Sequence, residues 1–483
     1  MLQGTGSHAG KTVLAAGLCR LLARRGLRVM PFKSQNMSLN AHVAAGGGEM
    51  GWAQVMQAEA AGVPPRVEMN PILLKPRAEA RSQVVVLGRV RQEVDARGYY
   101  RIAATLWPAV RRSYETLARE ADVIVIEGAG SPAEPNLMRR DLANMRVARL
   151  ARAPVLLVGD IDRGGVFASL LGTMTLLPPA DRRRVRAFVI NKFRGDVSLL
   201  APAVRDLVRR TRVPVAGVVP FLSRLALPEE DSVALDGGAR APGDGLRVAV
   251  VRLPHIANFT DFAPLESEPG VRLVYAEEPR DLAGAALVIL PGSKDTIDDL
   301  RALKARGFTA ALGEHRARGG LVLGVCGGYQ MLGRSVADPH GVESGGEEAG
   351  LGLLPVATRL AREKVARRVR ARWLPDGPGF EGYEIHMGVT EVDGAARPLL
   401  EVEGRAEGCA SADGRVWGTL VHGLFESGAA RRRVLDWARG AEAPAWSAPS
   451  PDHRATREAA YDRLADTLAA CIDPRLLREI GGS

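Results

Sequence analysis

Strand-length apolar runs alternate with helix-like segments along almost the whole of this chain. That alternation limits the fold more than any other feature. Residues 123–126, 155–158, 185–190 and 213–219 are rich in Val, Ile, Leu, Ala and Phe, and loop signals follow each run. Apolar runs without strict alternation belong to strands buried on both faces. Such strands, separated by helices, build a parallel sheet with crossover connections. A second series occupies 247–251, 287–290, 321–325 and 416–421. Between the two series, residues 236–245 carry the Gly, Asp and Pro composition of a linker. The chain therefore reads as α/β with two domains, at 1–236 and 246–440, joined by a linker at 237–245. A tail at 441–483 opens rich in Pro and Ser and ends in a helix through 461–471.

Composition removes several classes. With 46% hydrophobic and 25% charged residues the chain is neither disordered nor fibrous. Its apolar runs are far shorter than a membrane span, and no basic head followed by an apolar core marks a leader. The net charge of +10 comes from 65 basic and 55 acidic residues. Seven of the basic residues are lysine and the rest are arginine, scattered through helix-like stretches with few aromatics between them. That pattern fits solvated faces, so no nucleic-acid partner is expected. The four cysteines, Cys19, Cys326, Cys409 and Cys471, are far apart and form no CxxC pair. Neither a zinc site nor a disulfide framework is expected, and a reducing cytoplasm is the default.

The first chemical signal is at the N-terminus. Gly4-Thr5-Gly6, then Gly10-Lys11-Thr12, lead into a helix-like run over 13–25. Backbone N–H groups in such a turn and at a helix N-terminus cradle phosphates. Lys11 would reach the outer phosphates and the Thr12 hydroxyl would ligate Mg²⁺. The spacing is one residue longer than the usual GxxxxGK when counted from Gly4. Only three residues precede Gly4, so the first strand is short, as it would be if the natural start lay upstream. The run 123–126 delivers Glu127 to a sheet edge, where open α/β sheets bind ligands, which makes Glu127 a candidate Mg²⁺ ligand. Asp160 and Asp162 close another strand and are further candidates for the same cleft.

The second signal is at 321–333. A buried strand runs into Gly324-Val325-Cys326-Gly327-Gly328 and then a helix. This is a nucleophile elbow with Cys in the place of Ser. The small neighbours allow a sharp turn, and the helix N-terminus offers N–H donors to an oxyanion. A Cys nucleophile needs a base. His386 and His422 are both candidates, and His422 ends a strand just before a glycine.

Taken together, these stretches closely resemble the cobyric acid synthase family of glutamine-dependent amidotransferases. The resemblance covers nearly the whole chain. It rests on residues 31–40, 70–76, 127–137, 160–167, 191–196, 254–265 and 291–296, and on the Cys326, His386 and His422 segments. It implies an N-terminal P-loop domain similar to dethiobiotin synthetase and a C-terminal class I glutamine amidotransferase-like domain. It implies glutamine hydrolysis by Cys326 with His422 as base, and ATP with Mg²⁺ activating a substrate carboxylate. The implied substrate is adenosylcobyrinic acid a,c-diamide, amidated at its b, d, e and g carboxylates, one ATP and one glutamine per amide. Lys33 and His386 are candidate substrate or phosphate contacts, and Gly292 and Gly327 candidate oxyanion donors.

One departure stands out. Many Cys glutaminases of this fold carry an acidic residue two positions after the base, and here that position is Leu424. The site is accordingly expected to be a Cys–His pair, with Glu384 and Glu426 as weak alternatives for assistance. His8 sits in the phosphate loop without an evident role. Two other readings compete. An a,c-diamide synthase of the same pathway would share both domains, and a partitioning-type switch ATPase would share only the first.

Overall fold

The computed structural model describes residues 1–77, 81–222, 225, 227, 245–394, 396–440, 446 and 448–481. The linker expected at 237–245 lies, apart from Gly245, outside the described residues.

The first series of apolar runs forms a parallel sheet. Strand Leu2–Gly4 pairs with Val155–Asp160, which pairs with Val185–Phe193, which pairs with Val215–Pro220. Val29–Phe32 pairs in parallel with Val123–Ile126, and a parallel bridge from Leu2 to Glu127 links the two groups. Both faces are covered. One carries Leu156, Val158, Val189 and Val219 against helices Lys11–Ala23 and His453–Cys471. The other carries Leu157, Phe188 and Ile190 against helices Val166–Leu176 and Ala201–Thr211. The phosphate-side helix spans Lys11–Ala23, close to the expected 13–25.

An inserted four-strand sheet follows, Gln35–Met37, Ile72–Pro76, Arg81–Val86 and Arg89–Asp95, with a small hairpin of Ala41–Val43 and Glu49–Gly51. A long helix, Ala96–Glu120, covers it, started by Asp95, whose side chain accepts from Gly98 N at 2.6 Å.

The second series of apolar runs also forms a parallel sheet. Val271–Ala276, Leu246–Val251, Leu287–Leu290, Leu321–Val325 and Val416–Thr419 lie side by side and parallel. The sheet then continues in antiparallel sense through Arg405–Ala410, Arg397–Val402 and a long hairpin of Val356–Trp373 with Gly379–Val392. The run expected as one strand at 416–421 is broken after Thr419. Val421–His422 leaves to pair with Tyr383 and Glu384, and this break aims His422 away from its own strand's row.

The expected C-terminal helix is longer than read, His453–Cys471, and it returns to the first domain. Tyr461, Leu464 and Leu468 pack on helix Lys11–Ala23. Gly17 permits the approach: a Cβ there would lie 2.5 Å from Leu468 Cδ1. Asp473 N then donates to Ala216 O at 2.7 Å at the edge strand Val215–Pro220.

The domains meet through the insert. Ala41, Val43, Leu73 and Val85 of the first domain cluster with Tyr383 and Ile385 of the second. Asn258 Nδ2 donates to Ala41 O at 2.9 Å, and Thr260 Oγ1 donates to Asn40 Oδ1 at 2.8 Å.

Candidate active sites

The phosphate loop runs from the end of Leu2–Gly4 to the start of Lys11–Ala23. Gly10 caps the helix with φ +89°, and a Cβ there would sit 2.1 Å from Asn191 Nδ2, so only glycine fits. Asn191 Nδ2 donates to Ala9 O at 2.9 Å, and Lys192 Nζ to His8 O at 2.8 Å. His8 thus contributes a left-handed turn, φ +61°, and a carbonyl anchor, while its ring is exposed. Lys11 is buried and curls back over the loop, donating to Gly6 O at 2.9 Å and Gly130 O at 3.2 Å. The loop around Gly4, Thr5 and Gly6 is pinned to the sheet by Thr5 N donating to Val158 O at 2.9 Å.

Of the three candidate acids, Glu127 is the one that meets Thr12. It is fully buried and accepts from Thr12 Oγ1 at 2.7 Å, Lys33 Nζ at 2.9 Å and Gln57 Nε2 at 2.5 Å. Asp160 accepts from Lys192 Nζ at 2.8 Å and Asp162 from Arg194 Nε at 2.9 Å, so both are held within the loop framework. Lys33 is the buried counter-charge of Glu127. Sequence reading overlooked Gln57, on helix Trp52–Ala61, whose Oε1 is buried with no partner. Thr12 Oγ1, Glu127 and that orphan oxygen are hard donors, the chemistry Mg²⁺ prefers, with remaining positions left for phosphate oxygens and water.

In the second domain Cys326 ends strand Leu321–Val325 and precedes helix Gly327–Leu332. Its backbone is strained, φ +53° and ψ −112°, as a nucleophile elbow requires. The flanking glycines are needed: a Cβ on Gly328 would lie 1.9 Å from Leu290 O. Cys326 Sγ lies 3.4 Å from Ile385 O. Gly327 opens the helix, where first-turn N–H groups have no intrahelical partner. Gly292 lies beside the thiol: a Cβ on it would stand 3.8 Å from Cys326 Cβ and 3.4 Å from His422 Cε1.

His422 is buried, and its Nδ1–H donates to Asp261 Oδ2 at 2.6 Å. Burial opposes charge on this imidazole, but the Asp261 carboxylate and Cys326 outweigh it and push the pKa up to about 10. The expected Cys–His pair is therefore corrected to a Cys326–His422–Asp261 array. Asp261 is further held by Tyr383, whose hydroxyl donates to Oδ1 at 3.1 Å and whose ring stacks on His422 at 5.0 Å and 8°. The weaker candidates are elsewhere. Glu384 pairs with Arg367 at 2.5 Å, Glu426 pairs with Arg457 at 2.7 Å, and Leu424 is buried in the core. Asp261 stands 161 residues before His422, in the turn Phe259–Phe262, so no local spacing announces it. Its signal was the polar pair Thr260-Asp261 set among aromatics in a stretch already singled out. His386 lines the Cys326 cavity, and its Nδ1 is buried without a partner.

Comparison with known proteins agrees with both halves. Residues 1–234 match the family described as CobQ/CobB/MinD/ParA nucleotide binding domain, and residues 247–430 the CobB/CobQ-like glutamine amidotransferase domain. The cobyric acid synthase of Desulforudis audaxviator (strain MP104C) is 52% identical, over 100% of this chain and 99% of that protein. That of Sorangium cellulosum (strain So ce56) is 49% identical over 100% and 98%, and that of Rhizobium rhizogenes (strain K84 / ATCC BAA-868) 50% over 100% and 99%.

Proposed function

Since this chain belongs to the cobyric acid synthase family, we propose that it amidates the b, d, e and g carboxylates of adenosylcobyrinic acid a,c-diamide, using ATP and glutamine, to give adenosylcobyric acid. It is a glutamine amidotransferase ligase with a nucleotide-binding half. The full-length matches set aside the a,c-diamide synthase and switch-ATPase readings. The observation that carries the residue assignment is the buried Cys326–His422–Asp261 array on a strained turn.

In the glutaminase half, the Cys326 thiolate adds to the glutamine carboxamide carbon. The oxyanion that forms is met by N–H groups at the start of helix Gly327–Leu332, with Gly292 facing them across the thiol. His422 gives its proton to the departing nitrogen, ammonia leaves and a glutamyl thioester remains. Water, deprotonated by His422, then releases glutamate. Asp261 keeps the His422 ring turned so that Nε2 faces the thiol, and it offsets the imidazolium charge.

In the synthetase half, a substrate carboxylate oxygen attacks the γ-phosphorus of ATP and ADP departs. Ammonia adds to the acyl carbon, the bond to the phosphate oxygen breaks, and phosphate leaves with the electron pair and takes up the proton that the nitrogen loses. Lys11 and the loop amides of Gly4, Gly6 and Gly10 hold the phosphates, while Thr5, whose N–H is taken by Val158 O, anchors the loop. Thr12 and Glu127 would hold Mg²⁺, which neutralises phosphoryl charge when bound. Lys33 balances Glu127 before that ion arrives. No helix among the described residues is long and apolar enough to cross a membrane. With four free cysteines, we read the enzyme as cytoplasmic.

The test exchanges the nitrogen source. Cys326→Ala is expected to lose glutamine-driven amidation and keep the ammonium-driven reaction with ATP, Mg²⁺ and the a,c-diamide. Wild-type protein that amidates from neither source while hydrolysing ATP would overturn the reading.

A further inference from the structure

The cavity beside Cys326 and His422 has a charged end that the chemistry above does not use. It is lined by Lys294, Glu343 and Gln330, and by Lys75 and Lys364. Two of these lysines are satisfied: Lys75 Nζ and Lys364 Nζ lie 2.5 Å and 2.6 Å from the two oxygens of Glu49. Lys294 is different. It is 6% exposed and makes no direct hydrogen bond or contact ion pair among the described residues, although the carboxylates of Glu343 and Glu49 attract it through space. Burying an unpaired ammonium costs several kcal/mol, roughly, so such groups are kept where an anion arrives. Gln330 is 3% exposed, and its Nε2 is also without a partner. Its Oε1 accepts from Thr296 Oγ1 at 3.3 Å, which fixes the orientation of the amide. Glu343 Oε2 accepts from Thr296 N at 2.7 Å, so this carboxylate is held at the start of helix Thr296–Ala305, and its attraction to Lys294 opposes the effect of burial on its charge.

A cationic donor, a neutral donor and a carboxylate therefore share one cavity with the thiol. Glutamine brings a reactive carboxamide, and about 5 Å from it, by ordinary bond lengths, an α-carboxylate and an α-ammonium. We propose that Lys294 and Gln330 bind the α-carboxylate of glutamine and Glu343 its α-ammonium, so that this trio selects free L-glutamine for Cys326. The proposal rests on the glutaminase reading and adds its specificity. Lys75 and Lys364 are excluded as the primary anion contact because Glu49 already occupies them.

The experiment compares L-glutamine with L-glutaminamide, whose α-carboxylate is replaced by a neutral amide, as substrates for hydrolysis by the full-length enzyme. A charge-assisted hydrogen bond to a buried ion is worth on the order of 10- to 150-fold in affinity. Wild-type enzyme is expected to show a KM for L-glutaminamide higher by that factor. In Lys294→Met the KM for L-glutamine should rise until the two substrates are nearly equal, with kcat changed much less. Glu343→Gln should erase the preference for L-glutamine over N-acetyl-L-glutamine in the same way. Both readouts are ratios, so a partly unfolded variant does not mimic them. Retained discrimination in Lys294→Met, beside normal wild-type glutamine turnover, would overturn this proposal alone. Wild-type protein that used ammonium and never glutamine would overturn the glutaminase reading, and this proposal with it.

Discussion

The two reaction sites are built on similar parallel sheets, yet they store chemistry differently. At the thiol site, on the function proposed above, the reacting atom belongs to the protein itself, and the surroundings are specialised: positive φ at Cys326, a buried acid on His422 and a tyrosine stacked on that ring. At the phosphate loop, on the same proposal, both reactants come from outside. There the protein offers loop amides, Lys11 and a Thr12–Glu127 pair; the closest approach, at Gly10, is made by a glycine that adopts positive φ without strain, and His8 adds a second left-handed residue. Covalent catalysis requires one side chain held in a costly conformation. Phosphoryl transfer requires a cradle. The strained site therefore depends more on its neighbours, and those neighbours are braced by the other domain: Asn258, which donates to Tyr383 Oη at 3.0 Å, also donates to Ala41 O of the first domain.

That contrast can be broken from either side. The largest effect is expected for Asp261→Asn. An amide cannot accept from Nδ1–H with charge and favours the wrong ring tautomer, so kcat for glutamine hydrolysis should fall on the order of 10²–10⁴-fold. Steady-state glutaminase kinetics measure this, and a loss below threefold would return the site to a Cys–His pair. Glu127→Ala should act on the other half. It removes the buried carboxylate on which Thr12 Oγ1, Lys33 Nζ and Gln57 Nε2 converge and should abolish ATP-driven amidation while leaving glutamine hydrolysis in place; ATPase and glutaminase assays read both.

Gly17→Ala should cost about 1–3 kcal/mol by forcing Leu464 and Leu468 off helix Lys11–Ala23. The smallest effect concerns acid. Burial lowers the His42 pKa from the usual 6.5 to about 4. This ring lies tilted between Trp52 and Tyr383 at the domain contact. The unfolded chain takes up a proton as pH falls through 6.5, whereas the folded chain resists until about 4, so stability is lost across that window. Denaturation at several pH values should show a shallower slope between 4 and 6.5 in His42→Gln.

Much of this was legible because the informative positions are local in sequence. The runs at 123–126, 155–158 and 287–290 are continuous and apolar, so they had to be central strands. Gly10-Lys11-Thr12 and Cys326-Gly327-Gly328 declare their turns through residue type. The antiparallel half of the second sheet was harder to see. Strand Val356–Trp373 carries Arg359, Arg362, Lys364, Arg367, Arg368, Arg370 and Arg372, and one such charge, Lys364, turns inward to Glu49. Asp261 was missed because its partner is distant in sequence. Helix His453–Cys471 was legible as a helix, but no residue in it states which domain it covers.

That last helix has a consequence for how the protein is made. Domains usually fold in order as they leave the ribosome. Here the helix that presents Lys11 and Thr12 keeps an uncovered greasy groove, around Gly17, until residues 461–468 have been translated. Helix Lys11–Ala23, translated early, is thus covered late, and every nascent chain short of that point carries an exposed hydrophobic seam that chaperones and proteases can recognise.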